Sequence, residues 1–80
     1  MPRIWYEQGF SFSFYAADGR EPTHVHVRKA GCEAKWWLDP VEEASNHGFN
    51  ARDRAAIGRI ICDRQGLLLE AWRRVFPEAP

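Results

Sequence analysis

The chain reads as an α+β protein: a small antiparallel β-meander of three to four strands packed on one long C-terminal helix. Three observations predict this. Phe10-Ser11-Phe12-Ser13-Phe14-Tyr15 alternates at a period of two, the pattern of a half-buried antiparallel strand. Two more alternating stretches, Thr23 to Lys29 and Glu33 to Leu38, follow after turn signals. Beyond Asn50 the apolar residues recur every three or four positions, as on an amphipathic helix.

Taken in order, Ile4-Trp5-Tyr6 either begins the first strand or adds a short edge strand, with Glu7-Gln8-Gly9 as a turn or bulge. Phe10, Phe12 and Phe14 share one strand face. Asp18-Gly19 signals a turn. Pro22 stands at the entry to the next strand, where its missing amide hydrogen costs no ladder bond. Ala30-Gly31 makes the following turn, with Cys32 in it. The third stretch puts Ala34, Trp36 and Leu38 on one side and Glu33, Lys35 and Trp37 on the other. After Asp39-Pro40 the alternation is lost, and Val41 to Ala44 suits a short strand or a single helical turn. Asn50 is placed to cap a helix, with Asp53 in its first turn, where a carboxylate meets the positive end of the helix dipole. The helix is expected to end near Phe76, before Pro77. Gly66 lies inside it at a cost of up to about 1 kcal/mol relative to Ala, so a kink or break is expected there if anywhere. Ala79-Pro80 is expected to fray.

At 100° per residue, Ile57, Ile60, Ile61, Leu67, Leu68, Ala71, Trp72 and Val75 fall in one arc, while Arg59, Asp63, Glu70, Arg73 and Arg74 fall opposite. With Cys62, Leu69 and Phe76 the arc covers roughly half the circumference, wider than the ~100° needed to dock on one sheet. A second apolar neighbour is therefore implied: the segment around Trp5, the Val41 region, or another copy of the chain in a homodimer. Arg64 lies within the arc. Its guanidinium must either snorkel out or find acceptors, for which Asp18 and Glu21 are candidates. The predicted core is Phe10, Phe12, Phe14, Val25, Val27, Trp36, Leu38 and the helical residues Ile57, Ile60, Ile61, Leu68, Trp72 and Val75.

Eighty residues make one domain, 1–80, burying roughly 60–65% of its unfolded surface. Four Trp and five Phe compensate for so thin a core. Eleven basic and eleven acidic residues cancel, so no overall field draws the chain to nucleic acid or to an anionic membrane. No apolar run approaches the roughly 20 residues of a membrane span, the first residues do not show a basic segment followed by a long hydrophobic stretch, and the expected location is cytoplasmic. Cys32 and Cys62 lack Cys-x-x-Cys spacing and are expected to be reduced spectators.

The functional signal is His24-Val25-His26-Val27, which in a strand sets both imidazoles on one face and both valines on the other. With the valines in the core, His24, His26 and Trp37 are expected on an exposed sheet face. That face is the predicted functional surface: His24 and His26 donate hydrogen bonds, Arg28 adds charge, and Asp18 and Glu21 contribute from the preceding loop. Its expected ligand is another protein or a small anion. A competing reading is a metal-assisted hydrolase, with His24 and His26 as ligands of a divalent ion and Asp18, Glu21 or His47 as the third ligand or, for the acids, the general base. His47 is better read as part of a turn before Gly48-Phe49. Ser11, Ser13 and Ser45 lack a nucleophile elbow, neither cysteine has a histidine nearby in sequence, and no phosphate loop or dinucleotide fingerprint occurs. No catalytic residue or cofactor is assigned. Nucleic-acid contact is the third reading, through Arg20, Arg28 and Lys29 or through the helical arginines, although interleaved acids give these a solvated, mixed-charge face.

Four blocks carry a resemblance. They are Ala17-Asp18-Gly19-Arg20-Glu21-Pro22-Thr23-His24-Val25-His26-Val27, Glu33-Ala34-Lys35-Trp36-Trp37-Leu38, Asn46-His47-Gly48-Phe49 and Leu69-Glu70-Ala71-Trp72. In this order and spacing they resemble a small bacterial family, domain of unknown function 4160, from Phe10 to Phe76. The resemblance implies a loop with an acid, a Pro-Pro-His-x-His-Val segment, a mixed strand and one C-terminal helix. Here Thr23 replaces the second proline. Gly19 stands where some members have another histidine, a departure that weakens any three-histidine metal site carried over from them. The resemblance also implies a binding or regulatory module, of the kind suggested for gene regulation or toxin and antitoxin pairs.

Overall fold

The computed structural model describes residues 3–78; the expected fraying of Ala79-Pro80 lies outside them. The architecture is α+β, as expected, but with five strands and two helices. Strands β1 (Arg3–Glu7), β2 (Phe10–Ser13), β3 (His24–Lys29), β4 (Cys32–Leu38) and β5 (Val41–His47) form one antiparallel sheet in sequence order. A 3₁₀ turn, Ala16–Arg20, joins β2 to β3, and helices α1 (Ala51–Asp63) and α2 (Gln65–Val75) complete the chain.

The two tight turns follow from backbone chemistry. Gln8-Gly9 and Ala30-Gly31 both have positive φ at both residues, which matches the right-handed twist of the strands they connect. Cys32 is the first residue of β4, paired with Lys29, and not part of the turn. Of the two alternatives for Val41 to Ala44 the strand is the one formed, and it runs on to His47; its adjacent glutamates, weak strand formers, are why the sequence left the choice open. Its pairing with β4 also contains an irregularity between Lys35 and Trp36, which interrupts the alternation.

Asn50 caps α1 as predicted, its Oδ1 accepting from the Asp53 amide at 2.8 Å. The expected single helix is broken at Arg64, two residues before Gly66. Arg64 has φ −109° and ψ 14°, its N–H donates to the Ile60 carbonyl, and its own carbonyl accepts from Leu68. It therefore ends one helix and begins the next. Its side chain snorkels out of the apolar arc, donating to Glu7 at 3.1 Å and lying over the Trp5 ring at 5.1 Å. It does not pair with Asp18 or Glu21.

The predicted core residues are buried except Trp36 and Val75, which are half-buried against the same cluster. Ala34 and Phe49 join them. Trp36 packs on α1 so closely that a Cβ at Gly58 would lie 3.0 Å from its ring. Ile4 and Trp5 of β1, with Val41 of β5, cover part of the wide apolar arc from within the chain. No helix among the described residues is long and apolar enough to cross a membrane.

Candidate functional site

The 3₁₀ turn after β2 is held by its own backbone. The Asp18 amide donates to the Tyr15 carbonyl at 3.0 Å, and the Glu21 amide donates to the Asp18 carbonyl at 3.0 Å. The Tyr15 amide in turn donates to Asp18 Oδ2 at 2.7 Å. These bonds leave Asp18 Oδ1 directed at β3. Asp18 is buried, which the sequence did not suggest for a loop acid.

His24 and His26 do share a strand face, but not an exposed one. His24 is 0% exposed: its ring meets Trp37 at 5.7 Å, Trp72 of α2 at 5.4 Å and His26 at 5.0 Å between centroids. The His26 side chain is 11% exposed and stacks on Tyr15 at 3.8 Å and 11°. Trp37 is half-buried. The solvent-facing histidine pair expected from the alternation is thus corrected: the 3₁₀ turn and α2 cover that end of the sheet.

Asp18 lies between the two imidazoles. Its Oδ1 is 3.1 Å from His24 Nε2 and 3.3 Å from His26 Nε2, and its Oδ2 is 3.1 Å from His26 Nε2. His24 Nδ1 is 2.9 Å from the Pro22 carbonyl, which can only accept, so Nδ1 carries a proton. His24 Nε2 is buried and has no hydrogen-bond partner, because its approach to Asp18 is misaligned. His26 Nδ1 is 3.8 Å from Glu33 Oε2, and Glu33 Oε2 accepts from the Tyr15 hydroxyl at 3.0 Å. One ligand-type atom from each of Asp18, His24 and His26 lies within 4.8 Å of the others. Burial pushes the Asp18 carboxyl up, but the Tyr15 amide, the His26 hydrogen bond and both imidazoles outweigh it and hold the group below its ordinary range. Burial and the Glu33 carboxylate raise the Tyr15 phenol.

The other predicted site residues lie outside this cluster. Arg28 is exposed and 3.5 Å from Glu33. Glu21 is exposed and bound by Lys35 at 2.6 Å, which holds its carboxyl below the usual range. His47 is the last residue of β5, paired with Glu33, and not part of the expected turn; it is exposed and does not join. Tyr15 and Glu33 were missed. Glu33 was within reach, since the two-residue turn at Ala30-Gly31 sets it opposite Arg28. Of the helical arginines, Arg54 pairs with Glu43 at 2.6 Å and Arg74 with Glu70 at 2.7 Å, consistent with a mixed-charge face.

Chemically, two imidazole nitrogens and one carboxylate converge on a small buried volume, an arrangement that can hold a proton or a cation. No curated protein and no solved structure matches the chain. Residues 9–73 match the family model of a domain of unknown function, DUF4160, and the chain, carrying the acid loop and His-x-His strand that build this cluster, belongs to that family.

Proposed function

We propose that the domain is a small binding module whose ligand is held at the Asp18, His24 and His26 cluster. One observation carries the reading: His24 Nε2 is fully buried and unpartnered although a carboxylate oxygen lies 3.1 Å away. Leaving such an atom unsatisfied costs about 1–3 kcal/mol, and buried polar groups are otherwise almost always paired. A ligand seated between the two atoms supplies the missing partner to both. Because Asp18 is central, that ligand is a cation or a donor in preference to the anion expected from the sequence. Asp18 and His24 are buried and the His26 side chain is 11% exposed, which favours a small ligand over a bulky substrate.

The test is nitrogen-15 NMR of the histidine side chains of the ligand-free chain at neutral pH. A proton on His24 Nδ1 and a bare lone pair on Nε2 support a centre prepared for a ligand. A doubly protonated His24 would make the cluster a self-satisfied ion pair and sink the proposal.

A further inference from the structure

We infer that the ligand of this centre is a divalent transition-metal ion of the zinc class, bound by Asp18 Oδ1, His24 Nε2 and His26 Nε2. The inference rests on the reading of the cluster as a binding centre and names what it binds.

The spacing is the first argument. Two ligands at about 2.0–2.1 Å from a tetrahedral ion lie about 3.3–3.4 Å apart. Asp18 Oδ1 stands 3.1 Å from one imidazole nitrogen and 3.3 Å from the other. All three ligand atoms lie within 4.8 Å of one another, so an ion beside Asp18 Oδ1 is reached by drawing the two imidazoles together.

The outer partners are the second argument. Metal-bound histidines almost always direct their other ring nitrogen at a carbonyl or carboxylate, which sets the tautomer and the ring plane. Here His24 Nδ1 donates to the Pro22 carbonyl, so its lone pair can reside only on Nε2. His26 Nδ1 faces Glu33 at 3.8 Å, and Glu33 is itself held by the Tyr15 hydroxyl. On binding, the proton that His26 Nε2 directs at Asp18 relocates to Nδ1, toward Glu33. Asp18 is oriented in the same way: Oδ2 accepts the Tyr15 amide and Oδ1 is left for the ion.

The donor set is the third. Imidazole suits zinc, copper, nickel and iron, whereas a calcium or magnesium site is built from oxygen ligands alone. A single carboxylate with two neutral imidazoles leaves a net charge of +1 on a divalent centre, and the Glu33 carboxylate behind His26 offsets it. Among the described residues the cluster has three protein members, so water completes the coordination.

The experiment uses the full, untagged chain, stripped with chelator and titrated with ZnCl₂ by calorimetry. A parallel titration with Co²⁺ reports coordination through its visible absorption. One ion per chain is expected, with cobalt bands of a four-coordinate site and a raised melting temperature. Because His24 is fully buried and its replacement can unfold the chain, the diagnostic variants are the near-isosteric Asp18→Asn and the partly exposed His26→Gln, each checked for folding by circular dichroism. Each should weaken zinc binding by more than about 100-fold, since loss of an outer partner alone costs 10–100-fold; exposed His47→Gln should not. Absence of binding, or equal binding in wild type and both folded variants, overturns the inference. If NMR shows a bare lone pair on His24 Nε2 and no metal binds, the metal inference fails alone. If His24 is doubly protonated and no metal binds, the binding-centre reading fails with it.

Discussion

Trp72 and His24 are in ring contact, centroids 5.4 Å apart, although one lies on the last helix and the other at the start of the third strand. Trp72 also meets Phe14 at 5.3 Å and Phe76 at 4.6 Å. One indole thus ties α2 to the sheet end that carries the cluster. Trp72→Ala is expected to destabilise the fold by about 3–5 kcal/mol, the usual cost of emptying a buried Trp site. Urea denaturation of both proteins measures it. A loss below about 1 kcal/mol would mean that the helix docks without this anchor.

Tyr15 offers a finer probe, because its ring and its hydroxyl act on different partners. Tyr15→Phe keeps the stack on His26 but removes the 3.0 Å bond to Glu33. The expected loss is about 0.5–1.5 kcal/mol, the net value of one hydrogen bond. Zinc affinity should fall as well if Glu33 must be held behind His26. Unchanged stability together with unchanged zinc affinity would remove Tyr15 from the supporting structure of the site.

Which parts of this were legible depended on whether the deciding contact was local. Alternation over Phe10–Ser13, His24–Lys29 and Cys32–Leu38 marks three strands because a half-buried face forces a period of two. The same rule puts His24 and His26 on one face correctly. It cannot see that Trp72, 48 positions later in the chain than His24, closes over that face. Arg64 shows the same limit. The helix breaks there and not at Gly66, and the Arg64 side chain leaves for Glu7, a partner 57 residues away. Asp18 was a candidate from its place in the loop, but its burial depends on the 3₁₀ turn folding back over β3.

Two glycines make opposite predictions. Gly66 has φ outside the left-handed region and nothing within 4 Å of an added Cβ, so Gly66→Ala should stabilise α2 by up to about 1 kcal/mol. Gly48 has φ +105°, and an added Cβ would sit 2.9 Å from Cys32 Sγ. Gly48→Ala should cost about 1–3 kcal/mol from backbone strain alone. Thermal melts of the two variants should move in opposite directions; a shared direction would contradict this account of one glycine or the other.

Acid should loosen the metal-free fold partly through Asp18. Its folded carboxyl titrates below the ordinary value of 3.8 because the Tyr15 amide and the two imidazoles outweigh the effect of burial. A group with a depressed folded pKa contributes stability that is fully present above its unfolded value and is lost as pH falls through the folded one. Stability measured by urea denaturation should therefore decline as pH drops from about 5 toward 2. Glu7 and Glu21, also depressed by hydrogen bonds from Trp5 and Arg64 and from Lys35 respectively, add to the decline. Asp18→Asn has no such carboxyl to titrate, so its acid decline should be shallower than wild type while those of Glu7 and Glu21 persist. Parallel profiles for the two proteins would show that Asp18 titrates alike in the folded and unfolded chains, and that the imidazoles do not favour its ionised form.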